Sequence, residues 1–93
     1  MLVDAENVRR SRWPNVGREE LEARVRDWAA GEEHEAVVVF EGTETADDWI
    51  ARQEGPFWLV TSDRELRRRV GDRAVRVTGG GAFLDELGLR REV

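Results

Sequence analysis

The run EAVVVF at residues 35–40 constrains this chain more than any other feature. It has no polar alternation, so as a strand it presents apolar side chains on both faces. Such a strand asks for a packed layer on each side. The rest of the sequence offers the material, because short apolar runs alternate with helical spacing. MLVDA opens as a strand, and ENVRRSRWPNVG reads as a loop with one helical turn. Residues 18–30 form a helix with Leu21, Val25, Trp28 and Ala29 on one face, and Gly31 is placed to end it. A second helix is expected over 46–53, with Ala46, Trp49 and Ile50 inward. Gly55 and Pro56 break the chain before the strand FWLV. A short helix over 63–70 carries Leu66 and Val70, AVRV is a weaker strand, and the last helix carries Phe83, Leu84 and Leu87. Residues 89–93 read as a frayed end. The pattern predicts one domain over 1–93: a three-layer α/β/α sandwich on a short, mostly parallel four-stranded sheet.

Composition excludes several chemistries. With no cysteine, disulfides, thiolate zinc sites and cysteine nucleophiles are ruled out. His34 is the single histidine, set in the acidic turn GEEHEA, so neither a zinc triad nor a paired-histidine nuclease can be built. No apolar stretch approaches the roughly 20 residues that cross a bilayer, and nothing resembles a secretory leader. The expected location is therefore cytoplasmic, with no membrane partner. A net charge of −5 opposes indiscriminate binding along a nucleic-acid backbone. All 15 basic residues are arginine, with clusters at 9, 10 and 12, at 64 and 67–69, and at 90 and 91. The guanidinium fork suits phosphate. A core this small, carrying four tryptophans, would gain burial from a homodimer.

The acids are the informative polar residues. In an open parallel sheet, ligands bind beyond the carboxyl ends of the strands. Asp4 ends the first strand, Glu41 ends the second, and Asp63 follows the third. Glu44 precedes the next helix, and Asp47 and Asp48 lie in its first turn. Some acids have a plainer role. Thr45 with Asp48, and Ser62 with Glu65, have capping-box spacing. Asp4 has no such motif, and Asp47 is not needed by one. Carboxylates crowded at one rim repel each other, and a hard cation with oxygen ligands would neutralise them. Asp4, Asp47 and Asp63 are the acids that strand ends and helix starts bring to one edge here.

LVDAENV at 2–8, VVVFEG at 37–42, ETADDWI at 44–50 and LVTSDREL at 59–66 resemble the NYN domains of the PIN-like ribonuclease superfamily, most nearly the bacterial YacP-like branch. The likeness covers about residues 2–88. It implies an α/β/α fold and RNA cleavage dependent on Mg2+ or Mn2+. It places Asp4, Asp47 and Asp63 at the acidic metal positions, with Glu44 as a secondary candidate, and gives Asn7 a role in orienting the first loop or touching substrate. Thr61 and Ser62 would shape the pocket, and Arg9, Arg10 or Arg64 would steady the RNA phosphates. Two departures stand out. Ala5 and Glu6 alter the first turn, Glu6 adding an acid near the site, and only Gly42 and Thr43 separate Glu41 from Glu44. A shorter sheet and a shallower groove are implied, which keeps a second reading in view: a weak or inactive PIN-like module that binds RNA or a protein. TGGGA at 78–82 could cradle an anion before a helix, although tight turning and close packing account for its glycines more simply.

Overall fold

The computed structural model describes residues 1–89. Its elements are β1 (Leu2–Asp4), α1 (Ala5–Arg9), α2 (Arg18–Gly31), β2 (Val37–Val39), α3 (Ala46–Ala51), β3 (Phe57–Val60), α4 (Arg64–Arg69), β4 (Ala74–Thr78) and α5 (Gly80–Glu86). The four strands form one sheet in the order β2-β1-β3-β4, and every neighbouring pair is parallel. Leu2 lies between Val37 and Leu59, so β1 is internal.

Strand alternation divides the core in two. Val3 and Val60 face Val8, Leu21, Val25, Phe83 and Leu84, contributed by α1, α2 and α5. Leu2, Val39 and Leu59 face Ile50, Leu66 and Val70, contributed by α3, α4 and the end of α4. These are the helix faces expected from sequence spacing, and together they make an α/β/α sandwich. Among the described residues no helix is long and apolar enough to cross a membrane. Of the expected frayed end, Leu89 packs against the core and bonds back to Leu84; residues 90–93 lie outside the described residues.

Three local expectations are corrected. The EAVVVF run meets core on both faces, Val38 against one cluster and Val39 in the other, but the cover is incomplete: β2 is an edge strand, and Val37 is 47% exposed. Gly31 is the last residue of α2 and not the left-handed residue beyond it. The left-handed residue is Glu33, at φ 58°, and the His34 amide bonds to the Ala29 carbonyl in a Schellman-type closure. The cap of α4 is Asp63 rather than Ser62: Asp63 Oδ1 accepts from the Glu65 and Leu66 amides, while Ser62 Oγ accepts from the Gly80 amide at 2.8 Å. The Thr45 cap forms as expected, accepting from the Asp48 amide.

Close packing does explain Gly80. A Cβ there would stand 2.1 Å from Ser11 Oγ and 3.2 Å from the Val8 Cα, so only glycine lets α5 lie against α1.

Candidate functional site

The connection after β1 leads to β2 on one side of it, and β3 then pairs on its other side. The carboxyl ends of β1 and β3 therefore border a topological switch point, where open α/β sheets bind ligands. Asp4 closes β1 there, and Thr61, Ser62 and Asp63 leave β3 beside it. A hydrogen bond spans the junction: Thr61 Oγ1 donates to Asp4 Oδ2 at 2.8 Å. The same hydroxyl accepts from the Asp63 amide at 3.1 Å. Thr61 is fully buried and so fixes two acids at once. Asn7 extends the tie, its Oδ1 accepting from the Ser62 amide at 2.7 Å. This bond ties the first loop to the segment that leaves β3.

Electrostatics follow from that packing. Asp4 is only 3% exposed, and its carboxyl pKa is raised from 3.8 to about 6. Burial is the main cause. The Thr61 hydroxyl opposes it by stabilising the anion, and the charges of Asp47, Asp63 and Glu41 reinforce it. Asp47, at the start of α3, is also raised: first by burial, then by repulsion from and hydrogen bonding to Asp63, then by Glu41, with Arg69 opposing. Four carboxylates from four segments thus act on one another at one rim.

Glu41 is the member that the list of expected ligands left out. Its position at the end of an apolar strand was the available signal, and that signal is the same for Asp4. Glu44, the secondary candidate, ion-pairs with Arg52. Asp48 pairs with Arg69 at 3.3 Å, linking α3 to α4. Glu6 does not add to the acidic rim either. It is buried beneath three guanidiniums, with Arg9 at 2.5 Å, Arg18 at 2.8 Å and Arg10 at 3.5 Å. Arg9 and Arg10 are thereby committed to Glu6, and Arg9 also donates to the Val16 carbonyl. Arg64 is exposed in the first turn of α4, beside Asp63, and among the described residues it has no ion pair.

The donor set contains only oxygen, which suits magnesium or manganese, and a cation would offset the repulsion that raises Asp4 and Asp47. The residues fit a hard cation in this chemical sense. Among the described residues, however, no three acidic or histidine side chains already stand together as a ligand cluster. Three large clefts lie elsewhere: two flank β2, and one of about 390 Å³ opens beside Trp58 and Arg76. The glycine segment offers no free cradle at its start, since the Gly80 amide is spent on Ser62.

Compared with known proteins, the chain matches no family model, no curated protein and no solved structure.

Proposed function

We propose that this is a PIN-like domain whose acidic rim serves metal-dependent hydrolysis of RNA phosphodiester bonds. The observation that carries the reading is the buried, uncompensated Asp4 at the switch point, with Asp47, Asp63 and Glu41 biasing its ionisation. RNA as the substrate class rests on the motif resemblance to NYN domains. A bound Mg2+ or Mn2+ would supply charge neutralisation at the phosphate and a more acidic water.

The chain's own residues have distinct parts in this proposal. Thr61 holds Asp4 through Oδ2. Asp63 spends Oδ1 on the α4 cap, which stiffens it beside Asp47. Asp47 completes the anionic set from α3, and Asn7 keeps the first loop against the Ser62 backbone. Arg64 is the guanidinium best available to a phosphate, since Arg9 and Arg10 serve Glu6.

A second reading is a module that binds RNA or a protein without cutting. The lack of a ready-made ligand cluster among the described residues favours it. Manganese calorimetry followed by cleavage of mixed RNAs in magnesium separates the two. The nuclease reading expects wild type to bind manganese and cleave, and Asp4→Asn to lose at least about a hundredfold in rate while keeping its circular dichroism. Wild-type cleavage by Asp4→Asn would overturn the assignment, and manganese binding without hydrolysis would favour the module.

A further inference from the structure

The two edges of the sheet are finished differently. Natural sheets blunt an edge with charge, bulges or cover, because its unpaired backbone groups invite another strand. At β4, Arg76 lies over the Trp58 ring at 4.1 Å, and the pairing register with β3 slips between Phe57 and Trp58. At β2 the strand is three valines with no charge, proline or bulge. The Val37 amide bonds inward to the Met1 carbonyl. By parallel alternation, the amide and carbonyl of Val38 face outward.

Clefts run along both faces of this edge. One, of about 390 Å³, is lined by Ala29, Ala36, Val38 and Phe40 among others. The other, of about 300 Å³, is lined by Val37, Val39 and Trp49 among others. A strand added at this edge would send successive side chains into alternate clefts.

Charge selects the occupant. Glu35 and Glu41 bracket the strand, and both are exposed. A second copy pairing antiparallel about Val38 would set Glu35 opposite Glu41 at each end, and like charges directly opposite are destabilising. We infer that β2 docks an extended segment of a partner protein, apolar at alternate positions and basic at its ends.

The test titrates the full chain with a synthetic peptide of alternating valine and threonine ending in arginine on both sides. Tryptophan fluorescence reads it, since Trp49 lines one cleft. Saturable binding, at least tenfold tighter than for the same peptide ending in glutamates, is expected. Val38→Pro removes an outward amide, which an edge strand tolerates, together with a side chain that lines the clefts, and should weaken binding at least tenfold. Should that variant fail to fold, the exposed Glu35→Arg decides: it should weaken the arginine-ended peptide and improve the glutamate-ended one. Binding indifferent to end charge, or unchanged in Glu35→Arg, would overturn the inference. So would a wild-type dimer in sedimentation that Glu35→Arg tightens or Val38→Pro abolishes.

Discussion

Asp4 and Glu6 stand two residues apart, are both buried, and meet opposite surroundings. Glu6 is enclosed by Arg9, Arg10 and Arg18. The Arg18 contact to Oε1 is an ion pair without a directed hydrogen bond. Asp4 has one hydroxyl donor and three like charges acting on it. A buried carboxylate normally survives because the fold supplies its counter-charge. The chain does so for Glu6, which joins α1 to the start of α2. It does not do so for Asp4, whose neutralisation is left to a proton or to something bound. That contrast distinguishes an acid that holds the fold from one available for chemistry.

Substitutions at the two acids should move stability in opposite directions. Glu6→Gln strips the counter-charge from a half-buried Arg9 and should lower unfolding free energy by about 3 kcal/mol, read as a fall in urea midpoint. An unchanged midpoint would erase the contrast. Asp4→Asn should raise stability at neutral pH. The rise from 3.8 to about 6, at about 1.4 kcal/mol per pH unit, sets an upper bound of roughly 3 kcal/mol.

The sign fixes the pH window. A carboxyl whose folded pKa is raised favours the neutral form, so its contribution is fully present below its ordinary value of 3.8. It is lost as pH climbs through about 6. Wild type minus Asp4→Asn, followed by denaturation across that range, should therefore fall with rising pH. A flat difference would place Asp4 in water-like surroundings. The smallest effect is expected from Thr61→Val, about 2 kcal/mol for the two hydrogen bonds lost with the hydroxyl. Because the hydroxyl lowers the Asp4 pKa, its removal should push that pKa higher still, visible in a carboxyl carbon titration by NMR.

Much of the layer structure was legible because it depends on periodicity. Leu21, Val25 and Ala29, or Leu66 and Val70, declare a buried helix face without knowledge of what covers it. The place of β2 was not legible, since three valines suit an internal or an edge strand and only the strand order decides. Capping at α4 was ambiguous because Ser62 and Asp63 both stand at workable spacing; Gly80, 18 residues later, claims the serine. The end of α2 misled because glycine is the usual left-handed residue, and Glu33 takes that conformation here. At the rim, Asp4, Asp47 and Asp63 could be read from strand ends and helix starts. The neutralisation of Glu6 by Arg18 could not, since it depends on how α2 returns over α1.

The Thr61–Asp4 hydrogen bond joins residues 57 apart, and Ser62 is completed only by Gly80. A nascent chain released stepwise from the ribosome can therefore form α2 and still have no organised rim. The acids acquire their mutual arrangement only when synthesis has passed β3, and the loop holding them is secured only after α5 emerges. A chain stopped before β3 would lack the Thr61–Asp4 bond, and one stopped before α5 would lack the bond that completes Ser62.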